Sequence, residues 1–70
     1  MNKIYLFSFN GQKYTTSYRL TISDLIHYFG YNQELLVVEY NQFICTKLDW
    51  EKIIIQHKDK LEIVTIVGGG

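Results

Sequence analysis

A single cysteine, Cys45, in 70 residues leaves no internal disulfide to form, and a chain without such staples points to a reducing compartment. Charge of one sign is also missing. Seven Lys and Arg balance seven Asp and Glu, so the formal net charge is zero, and the basic stripe that binds a phosphate backbone is absent. Nucleic acid is therefore not an expected partner. No apolar run approaches the length needed to span a bilayer, so no membrane partner is expected either. The stretch Met1-Asn2-Lys3-Ile4-Tyr5-Leu6-Phe7-Ser8-Phe9 has a basic residue followed by apolar ones. It turns polar at Asn10-Gly11 without a small-residue cleavage site, and so reads as a strand rather than a signal peptide. Size is the last shortage. A chain this short hides only about 60% of the surface it exposes when unfolded, too little to enclose a deep pocket lined from several elements. A carrier, a binding module or a subunit fits this length better than a free-standing enzyme.

What is present is a core. Hydrophobic residues at 47% and aromatic residues at 16% are more than a disordered chain carries. Asn10-Gly11 between β-prone runs marks a type I′ hairpin, because both central residues need positive φ. The first strand is expected from about Ile4 to Phe9, with Tyr5, Phe7 and Phe9 inward and Ser8 outward. The second is expected from about Lys13 to Arg19, rich in Thr and Tyr. A helix follows. Thr21 serves as N-cap with Asp24 three residues on, and Leu20 and Leu25 can staple the entry. Ile22, Leu25, Ile26 and Phe29 share one face, and Gly30 suits a left-handed C-terminal stop.

Leu35 to Tyr40 reads as a central strand, Asn41-Gln42 as a turn, and Phe43-Ile44-Cys45 as a short return strand. Thr46 to Ile55 reads as an irregular or single-turn segment in which Leu48, Trp50 and Ile53 close the core. His57 to Lys60 is a polar turn, and Leu61 to Val67 is the last strand. Because the helix stands between the hairpin and the later strands, it must cross the sheet, giving an α+β layer pair. That is the element order of a β-grasp (ubiquitin-like) fold: a mixed sheet of about four to five strands packed on one helix.

The last strand runs into Gly68-Gly69-Gly70. Glycines without Cβ atoms make a slim, flexible arm that can thread a narrow tunnel; the plain alternative is a frayed terminus or added glycines with no role. In the first reading the working group is the Gly70 α-carboxylate, a poor electrophile until activated as an acyl phosphate or adenylate. Alternation along the last strand puts Leu61, Ile63 and Thr65 on one face and Glu62, Val64 and Ile66 on the other. With Glu62 in water, Val64 and Ile66 form an exposed apolar pair on the sheet face opposite the helix, a candidate docking patch. The division expected is a folded domain over 1–67 and a flexible glycine tail over 68–70.

Tyr40-Asn41-Gln42, Trp50, the Gln56 to Asp59 turn, Asn10-Gly11, the helix start Thr21-Ile22-Ser23-Asp24-Leu25-Ile26 and the terminal Gly69-Gly70 resemble the ThiS family of thiamine-pathway sulfur carriers over nearly the whole chain. Gly69-Gly70 is the individually diagnostic element. The resemblance implies that an E1-like enzyme of the ThiF type adenylates Gly70 with ATP and magnesium. Sulfur from a cysteine desulfurase then gives a thiocarboxylate, and a thiazole synthase of the ThiG type takes it. The protein itself would catalyse nothing, bind no cofactor and be monomeric when free. Its setting would be the cytoplasm, or the plastid stroma, since abundant Ile, Lys, Asn, Tyr and Phe suggest an AT-rich genome. The sequence departs from the family at one turn, where Lys58 stands in place of a glycine. A lysine in the left-handed region costs about 1 kcal/mol or more, so different dihedrals are expected there. Gly68 lengthens the tail by one glycine beyond the minimal pair.

Other candidates read more plainly. Cys45 lies in an apolar strand without a neighbouring base, as a small buried hydrophobe does. His27 reads as an exposed helix residue and His57 as a turn residue, and with Cys45 they have no metal-site spacing. Trp50 and the tyrosines read as core and rim rather than a stacking platform. Two alternatives to the thiamine carrier share the fold: a related Gly-Gly carrier, such as the molybdopterin synthase small subunit or a ubiquitin-like modifier, and a β-grasp interaction module whose tail has no role.

Overall fold

The structure, a computed structural model, describes residues 3–65. Asn10 and Gly11 both take left-handed dihedrals, φ 52° and 79°, and join β1 (Tyr5–Phe9) to β2 (Gln12–Thr16) as an antiparallel hairpin. Phe7 and Phe9 are buried and Tyr5 is half-buried, as alternation requires. β2 stops short of the expected Arg19. The Thr16 hydroxyl oxygen accepts the Tyr18 N–H at 3.1 Å, a local turn that draws the chain out of the ladder.

Helix α1 (Ile22–Phe29) starts at a complete capping box. Thr21 Oγ1 accepts the Asp24 N–H and Asp24 Oδ2 accepts the Thr21 N–H, each at 3.0 Å. Two otherwise orphaned donors are satisfied at once. Gly30, at φ 74°, ends the helix. Ile22, Leu25 and Ile26 enter the core; Phe29, the fourth residue of that face, sits at its margin and stacks on Phe9 with ring centroids 4.9 Å apart.

β3 (Leu36–Tyr40) begins one residue late because Leu35 belongs to a 3₁₀ turn over Gln33–Leu35. Asn41 and Gln42, at φ 49° and 73°, turn the chain into β4 (Phe43–Cys45). A second 3₁₀ turn spans Lys47–Asp49. Trp50 is buried after it and donates Nε1–H to the Cys45 carbonyl at 3.2 Å. Leu48 does not close the core as expected: it is 83% exposed. Trp50, two residues on, takes the inward place instead. β5 (Lys60–Thr65) completes the sheet.

The sheet order is β2-β1-β5-β3-β4, with β5 parallel to β1 and antiparallel to β3. Phe7, Phe9, Leu36, Val38 and Leu61 meet Ile22, Leu25 and Ile26 of the helix in one core, closed by Trp50 and Ile55. Ile55 N–H bonds the Leu20 carbonyl and Ile22 N–H the Ile53 carbonyl, which ties the late loop to the helix entrance. This is the β-grasp arrangement, and it places the strand leading toward the glycines in the middle of the sheet.

The turn before β5 corrects one expectation. Lys58 does adopt the left-handed conformation, at φ 72°. The surrounding bonds outweigh its cost: Lys58 N–H donates to the Leu6 carbonyl, Ser8 N–H to the Asp59 carbonyl, and Leu6 N–H to His57 Nδ1 at 3.0 Å. A strained residue persists where its neighbours over-determine its place.

Candidate functional site: the outgoing strand

The entry to β5 is organised by Asp59. Its carboxylate is buried, at 7% exposure. Oδ2 accepts the Tyr40 hydroxyl and the Gln56 N–H, both at 2.6 Å, and Oδ1 accepts Asn41 Nδ2–H at 3.0 Å. Asn41 bonds β5 in turn: its Oδ1 accepts the Lys60 N–H and its own N–H donates to the Lys60 carbonyl, each at 2.8 Å. Burial, and then the bond to Asp59 and its negative charge, raise the Tyr40 phenol well above the ordinary tyrosine range. The cluster fixes where β5 starts.

Further along, the strand presents two unlike faces. Leu61 is fully buried and Ile63 packs against the core, whereas Val64 on the other face is 41% exposed. Val64 stands opposite Val37, Glu62 opposite Glu39, and Glu39 opposite Ile44. Leu36 and Val38 point into the core, so Val37, Glu39, Ile44, Glu62 and Val64 share the face away from the helix. Val64 and Val37 thus form an apolar strip beside the row Glu62, Glu39 and exposed Ile44, with Lys60 paired to Glu62 at 3.9 Å. The expected exposure of Val64 is met. Ile66, its expected neighbour, and Gly68, Gly69 and Gly70 lie outside the described residues.

Ile44 was not part of the expected patch. Alternation within Phe43-Ile44-Cys45 carried the signal, since a buried Cys45 turns Ile44 to the opposite face. Cys45 is buried, and loss of solvation, followed by the charge of Asp49, raises its thiol pKa, which disfavours the nucleophilic thiolate. His27 is exposed on α1, and His57 is engaged as an acceptor. A groove of about 700 Å³ between β2 and α1 is lined by Phe7, Tyr14, Tyr18, Leu25 and Tyr28; the carboxylate at its wall, Asp24, is engaged in the helix cap. Such a wall offers apolar contact and no free acid–base pair. No helix among the described residues is long and apolar enough to cross a membrane.

The profile of the ThiS family matches residues 7–70, from β1 to the terminal glycines. The chain belongs to the ThiS family. The ThiS fold is seen again in the crystal structure of the thiamine biosynthesis protein ThiS from Geobacter metallireducens. That structure matches with a TM-score of 0.79 at 22% identity, covering 93% of this chain and 99% of that one. The chain is also 58% identical over 64 residues to the uncharacterized protein ycf40 of Trieres chinensis, covering 91% of this chain and 88% of that protein. A thiazole synthase of Paramagnetospirillum magneticum is 33% identical over 61 residues, which cover 87% of this chain but 19% of that protein. A ThiS-like segment therefore forms a minor part of that longer protein.

Proposed function

We propose that the protein carries sulfur for the thiazole moiety of thiamine, with the Gly70 α-carboxylate as the group that receives and hands on the sulfur. The observation that carries this reading is the family match, which extends to residue 70 and so includes Gly69-Gly70. The thiazole synthase bearing a ThiS-like segment supports a thiazole synthase as the consuming partner.

The chemistry follows from the carboxylate. An E1-like enzyme of the ThiF type joins the Gly70 carboxylate to the AMP part of ATP, with magnesium, and pyrophosphate leaves. The outer sulfur of a persulfide formed by a desulfurase then adds to the acyl carbon and expels AMP. A second thiol reduces the resulting acyl disulfide, leaving the Gly70 thiocarboxylate and a disulfide between the two thiols. The thiazole synthase takes that sulfur in exchange for an oxygen at the acyl carbon, and the carboxylate returns. Through all of this the globular part is a handle. Val64 and Ile66, with the strip around Val64, are the proposed docking surface, and Gly68 and Gly69 are the slim approach to the enzyme's site. The carrier acts as a protein co-substrate, and the compartment proposed is the cytoplasm or the plastid stroma.

Deleting Gly70 tests this. The deletion draws the carboxylate back by about 3.5 Å, where a misplacement of about 1 Å can already cost a hundredfold. The shortened protein should fold and bind the activating enzyme yet support no sulfur transfer. Full sulfur transfer by the shortened protein would refute the assignment.

A further inference from the structure

β1 ends before β5 does. Their parallel ladder pairs Ser8 with Lys60 and Phe9 with Leu61, after which the chain turns away while β5 continues to Thr65. On that flank the Ile63 N–H is left without a backbone partner from β1. Asn10 supplies one from its side chain. Its backbone N–H donates to the Leu61 carbonyl at 3.0 Å, and its Oδ1 accepts the Ile63 N–H at 2.8 Å. Its Nδ2–H donates to the Tyr31 hydroxyl at 3.2 Å, and the Tyr31 ring packs edge-on against Phe9 with centroids 5.9 Å apart. One carboxamide therefore joins the hairpin turn, the residue after the helix cap and the outgoing strand. Past Ile63, β3 is the flanking strand, through Val37 opposite Val64 and Leu36 opposite Thr65.

The residue type fits both tasks. The turn needs φ near 52° at this position, which asparagine, aspartate and glycine tolerate and most other residues do not. Glycine would keep the turn and lose the acceptor. Aspartate would keep both, and its carboxylate could accept from the Tyr31 hydroxyl.

We propose that Asn10 is a positioning residue for sulfur transfer: through the Ile63 N–H it fixes the direction in which β5 sends the chain toward Gly70. This rests on the carrier reading given above. A strand end released from this clamp samples several exit directions, and the enzyme binds the fraction pointing into its tunnel. Apparent affinity falls with that fraction. Once the tail is seated, the enzyme's own contacts hold it, so the maximal rate is unaffected.

Asn10→Gly, Asn10→Asp and Tyr31→Phe, compared with the unaltered protein, test this with two readouts. One is the KM and kcat of a ThiF-type activating enzyme for each carrier; the other is amide hydrogen exchange at Ile63, with Val38 as a core reference. Asn10→Gly should speed Ile63 exchange and raise KM by about two- to tenfold, the range expected from losing one such hydrogen bond, with kcat unchanged. Val38 exchange should not move. Asn10→Asp should stay within about twofold of the unaltered protein, and Tyr31→Phe should fall between the two. An unchanged KM for Asn10→Gly despite fast Ile63 exchange would overturn the proposal, as would an effect on kcat alone. So would equal KM increases for the Gly and Asp variants, or loss of Val38 protection, which would mark a merely structural role. Failure of the unaltered protein to acquire sulfur would instead remove the carrier reading on which the proposal rests.

Discussion

Replacing Asp59 with alanine removes three bonds from the entry to β5, two at 2.6 Å and one at 3.0 Å. Among the described residues the ion pairs are Lys47 with Glu34 and Lys60 with Glu62, so hydrogen bonds rather than a cation satisfy this carboxylate. Bonds to a charged group contribute about 1.5–3 kcal/mol each, but within one network they do not add. Asn41 is exposed, and so is Gln56, so water can reach both once the carboxylate is gone. The half-buried Tyr40 hydroxyl re-solvates less readily. We therefore expect a loss of about 3–4 kcal/mol for Asp59→Ala, against a total near 4–10 kcal/mol for a domain of this size. Asp59→Asn keeps one acceptor oxygen but sets its NH₂ against that of Asn41, and should lose about 1–2 kcal/mol. Urea unfolding followed by Trp50 fluorescence measures this, since Trp50 is the single tryptophan and is buried. A loss below about 1 kcal/mol for Asp59→Ala would mean that the cluster does not anchor the strand.

Tyr40 gives a pH signature. Its folded-state pKa is raised, by burial first and then by Asp59, so its contribution is complete below the ordinary tyrosine value of about 10 and is lost as pH climbs above it. Stability should fall less steeply above pH ~10 in Tyr40→Phe than in the unaltered protein; parallel curves would contradict the assignment. Lys58→Gly relieves a left-handed lysine worth about 1–2 kcal/mol and adds a chain-entropy cost of about 0.5–1 kcal/mol, for a net gain near 0.5 kcal/mol. Lys58→Ala, which keeps its Cβ, should show no such gain, and destabilisation by glycine in thermal unfolding would refute the strain argument. Val64→Asp should weaken binding to the activating enzyme about tenfold or more while the fold survives with a loss of about 1–2 kcal/mol, from poorer strand propensity and the nearby carboxylates. Titration calorimetry and urea unfolding measure the two, and loss of the fold would show that Val64 belongs to the core.

Local chemistry made much of this fold readable in the sequence. Asn10-Gly11 announces its hairpin because few residue pairs tolerate those dihedrals, and Thr21 with Asp24 announces the helix because both side chains act within one turn. Alternation in β5 separated buried Leu61 from exposed Val64. The misreadings arise where distant contacts decide. Lys58 is held left-handed by bonds to β1 that no local pattern reveals. Leu48 is apolar, yet Trp50 occupies the inward position it was expected to share. The clamp of Asn10 on Ile63 depends on the register between the first and last strands, and the bridge from Asn41 through Asp59 depends on that between the third and last. Such links exist once the sheet is assembled.

The most direct test of the carrier reading is the mass of the C-terminal peptide after incubation with ATP, magnesium, a ThiF-type activating enzyme and a sulfur donor. The account predicts a gain equal to one oxygen-to-sulfur exchange, located on the peptide ending in Gly70, and none on the peptide containing Cys45. Sulfur found on Cys45 with the terminus unmodified would contradict it.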